Sequence, residues 1–477
     1  MSRPSVASCP EPVALPVIFV PGIMGSRLKN DAGDLMWLPE GKWSQLLDKG
    51  FSDAREKRQS LVGNQGDNYS PSYLSVHPGT VGGPLTQERI DRGWGGVLWS
   101  FYGEFLSWLG RRMPVVHSSG ITAPRCSHIF PEVWAYPYNW TDDNKNSAIG
   151  RGKNKGVGSD VGLKNIIETA IAETTEKYKG TDIKVLKPIM ITHSMGGLVG
   201  RAFCKLLGGE DMLHGVIHGA MPTDGVPATY KRMLAGAEGA PALVLGWDQA
   251  ETTATAGNMP GALQLLPNKR HKGVDGSSNW LRVNTRQRVM LESLPRTDPY
   301  AEIYRNQSDW WRLIDPELLN PDGDTDDAYK DYLTQLDKAE AFHDSLGPNG
   351  FHPNTRMFYS EDEGHLAWDH IDWNCSVTDP KDDAKLMRIP TGLGTVRFID
   401  VSGDTYQGYP AAKHEYNYSI DSAKAPGDGT VHAGSGKHVP VMSVPTSSGF
   451  EHAAAFDSFA ARRLLADWLV EMVNEQL

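Results

Sequence analysis

The chain predicts an α/β fold, a mostly parallel central sheet flanked by helices with a large inserted cap. Short apolar runs alternate with helix-period segments. One serine stands between such a run and a helix-like run, and a stretch rich in Gly, Ala and Asp interrupts the rhythm. Strand and helix alternate in this way when each helix buries an apolar stripe against a parallel sheet.

Val17-Ile18-Phe19-Val20 reads as a buried strand that stops at Pro21-Gly22-Ile23-Met24-Gly25-Ser26, where two glycines permit a tight loop able to present backbone N–H groups. Residues 30–92 have weak periodicity and read as an irregular excursion closed by Arg92-Gly93-Trp94-Gly95-Gly96. Val97, Leu98, Phe101, Phe105, Trp108 and Leu109 then recur near helical spacing. The aromatic face of that helix either packs into the core, or Trp94 just before it together with Trp99 and Tyr102 lines an acyl groove. Val133-Trp134-Ala135-Tyr136 is a further strand, and Leu163, Ile166, Ile167, Ala170 and Ile171 mark a helix over 160–178. Pro188-Ile189-Met190-Ile191 leads into the serine turn, and 213–219 forms the next strand.

Residues 225–350, with Trp247, Trp280, Trp310 and Trp311, read as a cap or lid insertion. The core then comprises 13–224 and 351–477. It resumes at Arg356-Met357-Phe358-Tyr359 and 395–401 and ends in an amphipathic helix over 453–473. No internal repeat or low-complexity tract is visible.

A formal net charge of -11 with no long basic run excludes the electrostatic footprint of a nucleic-acid binder. It also removes strong attraction to anionic headgroups, so transient membrane contact would rest on apolar and aromatic surface. The four cysteines, Cys9, Cys126, Cys204 and Cys375, form no C-x-x-C pair, and Cys204 reads as core packing. Residues 1–12 lack a signal-peptide apolar region, and the run 13–20 is too short to span a bilayer. The expectation is synthesis in the cytoplasm, with any export by a non-classical route.

Thr192-His193-Ser194-Met195-Gly196-Gly197 carries the chemistry. A serine hydroxyl is a weak nucleophile at neutral pH. It needs a base beside it and backbone donors aimed at the oxyanion it creates. A strand–turn–helix supplies that access at a carboxyl strand end, provided the flanking residues are small. Gly196 and Gly197 meet this requirement, while Thr192 departs from G-x-S-x-G.

An acid and then a histidine must follow. Asp428 in Gly427-Asp428-Gly429-Thr430-Val431 and His452 in Glu451-His452 stand in that order, with Asp224 and Asp404 as rival acids and His432 and His438 as rival bases. His452 would take the Ser194 proton and return it to the leaving group. Asp428 would hold the imidazole tautomer and its charged form.

The fragments Pro21 to Ser26, Tyr136-Pro137-Tyr138-Asn139-Trp140, His193 to Gly197, Pro260-Gly261-Ala262-Leu263-Gln264-Leu265-Leu266-Pro267, Gly427 to Val431 and His452 resemble, in matching order, the α/β-hydrolase lipases related to lecithin-cholesterol acyltransferase, phospholipid-diacylglycerol acyltransferase and the GPI inositol-deacylase-like hydrolases. Thr192 and Asn139 depart from that pattern, and 30–92 and 270–350 match none of it. The resemblance implies an oxyanion hole from the main-chain N–H groups of Met24 and Met195, and a lipid or phospholipid substrate. The lipase framework without a signal peptide is also similar to bacterial type VI secretion lipase effectors, which implies an immunity protein as partner.

The predicted function is a serine carboxylester hydrolase on lipid esters, of phospholipase A or lipase type. An acyltransferase that passes the chain to an alcohol shares its first half-reaction, and a catalytically silent binding module shares its fold.

No metal or other cofactor is expected. Asn320-Pro321-Asp322-Gly323-Asp324-Thr325-Asp326-Asp327 lacks the glycine and glutamate of a calcium loop. His365, Asp369, His370 and Asp372, and the pair His214 and His218, read as hydrogen-bonded structural groups.

Overall fold

One strand organises the molecule. The computed structural model describes residues 11–37, 53–62, 73–111, 113–114, 126, 128–153, 156–237, 245–323, 327–380, 387–390, 394–399, 405–406, 409–410 and 415–477. Strand β1 (Val13–Val20) is buried along its whole length. Its Val17 and Phe19 join one apolar cluster, while Ile18 and Val20 join another. A two-residue period does this to any strand covered on both faces.

β1 pairs in parallel with β2 (His128–Ala135) on one side and β3 (Ile189–His193) on the other. β4 (Gly215–Gly219), β5 (Thr355–Tyr359) and β6 (Met442–Pro445) continue outward from β3, all parallel. The spatial order is therefore β6-β5-β4-β3-β1-β2, with Met113–Pro114 added antiparallel beyond β2 and Lys184–Val185 beside the start of β1. The chain leaves β1 toward β2 and later returns to its opposite side as β3. The crevice at the carboxyl ends of β1 and β3 is thus the point where strand order reverses, and open α/β sheets bind ligands there.

Helices α1 (Trp99–Leu109) and α4 (Phe459–Asn474) cover one face, and α2 (Leu163–Lys177) and α3 (Gly196–Leu206) the other. On α2 the buried set Leu163, Ile166, Ile167 and Ala170 follows the helical period read from the sequence. The last helix differs from the expected 453–473. His452–Ala454 is a single 3-10 turn, and α4 begins only after Ser458, whose hydroxyl accepts the Ala461 N–H. That break leaves His452 on a turn, free of the helix.

A second, six-stranded sheet runs in the order Met290–Leu294, Leu281–Asn284, Ile371–Cys375, Glu415–Ile420, Thr395–Ile399, Met387–Pro390, so it draws strands from both sides of residue 350. Trp310 fills its core against Trp373, Tyr418 and Phe398, at centroid separations of 5.2, 4.4 and 5.7 Å. Thr395–Ile399, expected to resume the central sheet, lies here instead. Its alternation, with Val396 and Phe398 buried, suits a sheet packed on one face only.

The excursion 30–92 holds more order than its composition suggests. Leu35–Trp37 and Ser75–Val76 flank Leu28–Lys29 in a small sheet, and Ala54–Leu61 is a helix capped by the Asp53 carboxylate. Few of that helix's residues are apolar, so no stripe betrays it. Salt bridges anchor it on the cap: Arg58 to Asp322 at 2.8 Å and Lys57 to Glu251 at 2.6 Å. Residues 38–52 and 63–72 of the excursion lie outside the described residues, as do Cys9, Asp404 and 324–326. Among the described residues no helix is long and apolar enough to cross a membrane.

Candidate active site

Ser194 follows the last residue of β3 with φ 52°, left-handed backbone that a non-glycine residue adopts only when its surroundings impose it. Its N–H donates to the Gly219 carbonyl at 2.9 Å, tying the turn to β4. A Cβ on Gly196 would lie 2.3 Å from the Pro21 carbonyl oxygen, and one on Gly197 2.3 Å from the Met221 sulfur. The turn is closed by contact, which is why both glycines are needed. Thr192 fits because its hydroxyl pairs with Nδ1 of buried His218 at 2.7 Å and its methyl faces Gly200, one turn into α3. Burial pushes His218 down to about 3, so that ring is neutral.

His452 Nε2 lies 2.9 Å from Ser194 Oγ, and His452 Nδ1 lies 2.7 Å from Asp428 Oδ2. Asp428 is 1% exposed. Its other oxygen accepts the N–H groups of Thr430 and Val431 at 3.0 and 2.6 Å, and Gly429 takes the positive φ of 86° that this tight loop requires. The carboxylate is thereby aimed by its own loop.

The rival residues that the structure describes have other surroundings. Asp224 binds Arg270 and Asn268. His432 is fully buried, with no hydrogen-bond partner on either ring nitrogen among the described residues, and lies edge-on to His271, while His438 ends the short helix Gly434–Lys437. Cys204 is a buried thiol pushed up to about 12 by desolvation; Cys126 and Cys375 are also buried.

The loop from Pro21 to Ser26 is fastened over this turn. Met24 has φ 61° and its carbonyl accepts the Trp37 indole N–H at 2.7 Å. Gly25 N–H donates to Gly22 O, Leu98 N–H to Gly25 O, and Tyr138 N–H to the Ser26 hydroxyl at 2.9 Å. The Met24 and Met195 N–H groups donate to no acceptor among the described residues. Gln264 of the 260–267 motif accepts from Asn144 and donates to Asp143, binding that motif to the segment after Trp140.

The three aromatic residues proposed for a groove have these positions. Trp94 is buried, its indole N–H on the Val133 carbonyl at 2.9 Å; Trp99 packs across Gly103; Tyr102 is buried with its hydroxyl between Gly22 N–H and His193 Nδ1. Sequence reasoning missed Trp37 and His193 as neighbours of the site. A lone tryptophan in an irregular stretch gives no periodic signal, whereas the position of His193 beside the serine could have drawn attention.

Among the described residues no group of three or more His, Cys, Asp or Glu side chains is placed to hold a metal ion. His365 pairs with Asp362, His370 with Asp369 and Asp372, and His214 with Glu475.

A mostly parallel sheet of this order, with a serine on a strained strand–turn–helix, a cap, and an acid and histidine on later loops, is the α/β-hydrolase fold. No protein-family model matches the chain, and no curated protein sequence matches it. The chain is similar in structure to a chain of the crystal structure of the Tle4-Tli4 complex, with a TM-score of 0.74 and 23% identity, over 98% of this chain and 100% of that one. At that identity the likeness shows the shared fold.

Proposed function

We propose that this chain is a serine carboxylester hydrolase that cleaves lipid esters, of phospholipase A or lipase type, through an acyl-enzyme on Ser194. The observation that carries the reading is the unbroken series Ser194 Oγ, His452 Nε2, His452 Nδ1, Asp428 Oδ2, with separations of 2.9 and 2.7 Å.

In this reading Ser194 Oγ attacks the ester carbonyl carbon as His452 takes its proton. The carbonyl oxygen becomes an oxyanion facing the N–H groups of Met24 and Met195, which donate to no other acceptor among the described residues. Collapse expels the alcohol, protonated by His452, and leaves the acyl chain on Ser194. Water then repeats the sequence, releasing a fatty acid and restoring the hydroxyl. Asp428 holds the His452 Nδ1 proton and stabilises the imidazolium.

The lipid substrate is supported by the ordered resemblance of six fragments to lipases and acyltransferases. The fold shared with a chain of the Tle4-Tli4 complex, itself a two-protein assembly, supports reading the chain as a type VI secretion effector held in check by an immunity protein.

The test incubates the protein and Ser194→Ala with defined phospholipids, neutral glycerides and a sterol acceptor, and identifies products by mass. Free fatty acid from the wild type alone is expected; sterol ester as the main product would replace hydrolysis with acyl transfer. Fluorophosphonate should label the wild type and not Ser194→Ala. An unlabelled wild type would leave only a binding module.

A further inference from the structure

Three segments must stay in register for the proposed chemistry: the loop from Pro21 to Ser26, the turn at Ser194 and the turn at His452. One chain of hydrogen bonds joins all three. Gly22 N–H donates to Tyr102 Oη at 3.1 Å, Tyr102 Oη lies 2.8 Å from His193 Nδ1, and His193 Nε2 lies 3.0 Å from the His452 carbonyl oxygen.

The direction of each bond follows from what each atom can do. A carbonyl oxygen only accepts, so His193 Nε2 carries the ring proton and donates it. Nδ1 is then bare in the neutral ring and must accept, so the single Tyr102 proton points at it. Gly22 N–H, which can only donate, takes the lone pair left on Oη. Burial pushes His193 down to about 3, with the nearby His452 adding to that, and pushes Tyr102 upward, so both groups stay neutral across the working pH range.

Aromatic rings enclose the His193 imidazole. His193 lies 5.1 Å from the His452 ring, 5.6 Å from Phe456 and 5.7 Å from Tyr102. A Cβ on Gly22 would be 3.0 Å from Ser194 Cβ and 3.2 Å from His193 Nδ1, so the loop lies flush on the serine turn.

We propose that Tyr102 and His193 are positioning residues, a one-way hydrogen-bond strut that holds the oxyanion loop and the His452 turn at fixed spacing about Ser194. The proposal rests on Ser194 being the nucleophile. Neither residue touches substrate in this scheme. Their effect is geometric, and a displacement of about 1 Å in such a site costs on the order of a hundredfold in rate.

Tyr102→Phe removes one oxygen atom and leaves the ring packed, stranding Gly22 N–H and His193 Nδ1. Steady-state hydrolysis of a soluble short-chain p-nitrophenyl ester should show kcat lowered roughly 10–100-fold with KM within about twofold. Tyr332→Phe is the control, since it deletes another buried hydroxyl, bonded at 2.7 Å to the Tyr304 carbonyl, in the helix Ala328–Leu346. It should lower the melting temperature by a similar amount and leave kcat intact.

Nitrogen-15 NMR of the wild type should find the His193 proton on Nε2. A wild-type kcat in Tyr102→Phe, an equal kcat loss in Tyr332→Phe, or a proton on Nδ1 would each overturn the strut. A wild type unlabelled by fluorophosphonate would overturn the nucleophile and the strut together. Labelling with an unchanged Tyr102→Phe rate would overturn the strut alone.

Discussion

Asp428 and His452 are joined twice: side chain to side chain at 2.7 Å, and by the His452 N–H on the Asp428 carbonyl at 2.8 Å. The second bond fixes the two loops to each other whatever the carboxylate does. Asp428→Asn should therefore keep the loop geometry and melting temperature while allowing the wrong imidazole tautomer. A loss in kcat on the order of 10⁴-fold with little change in KM is expected, read by steady-state kinetics beside a thermal melt. A variant within tenfold of wild type would remove Asp428 from the mechanism.

Gly196 approaches the Pro21 carbonyl so closely that a methyl group would collide with backbone. Gly196→Ala should cost about 1–3 kcal/mol or more by denaturant unfolding and displace the serine turn, with activity falling further than stability. Full activity in a stable Gly196→Ala protein would contradict the packing described.

The helix Ala54–Leu61 meets the cap through Arg58 and Asp322, whose side chains are 3% and 2% exposed. Asp322→Ala takes away the carboxylate that Arg58 meets at 2.8 Å in a buried pair, so a loss of up to about 3–5 kcal/mol is expected. Proteolysis should then cut the excursion first. An unchanged unfolding midpoint would show that water already solvates the pair.

His370 is held by hydrogen bonds to Asp369 and Asp372, which raise it from 6.5 to about 9. Because the folded value exceeds the unfolded one, its contribution is complete below pH 6.5 and is lost as pH climbs toward 9. Burial works in the opposite direction on His193, His218 and His432, each pushed down to about 3. The unfolded chain binds protons at these groups first, so stability also falls as pH drops from 6.5 toward 3. Unfolding midpoints measured across pH should decline on both sides of 6.5, and His370→Asn should flatten the alkaline side only. The same alkaline slope in that variant would refute the assignment.

The strands buried on both faces, β1 and β3, were legible because they are continuous apolar runs ending in glycine-containing turns. β6 was not. It is an edge strand, half exposed and ending in proline, so its Met-Ser-Val-Pro carries no such run. Thr395–Ile399 was legible as a strand but not in its sheet, since pairing partners are remote in sequence. The helix Ala54–Leu61 escaped notice because charge on the cap, more than an apolar stripe, holds it. Tyr102 carried an aromatic helix signal, which says nothing of where a hydroxyl will point.

What the amino-acid order determined unaided was local: the crowded turn at Ser194, which demands glycines, and the succession of a serine, an aspartate in a glycine loop and a histidine before the last helix. Which aspartate and which histidine meet that serine was decided only in three dimensions, where His452 reaches it across 258 positions. Hydrogen bonds act over about 3 Å, so partners are chosen by how the sheet brings loop ends together; the order of residues favours Asp428 and His452, and residue type alone does not exclude Asp224, Asp404, His432 or His438.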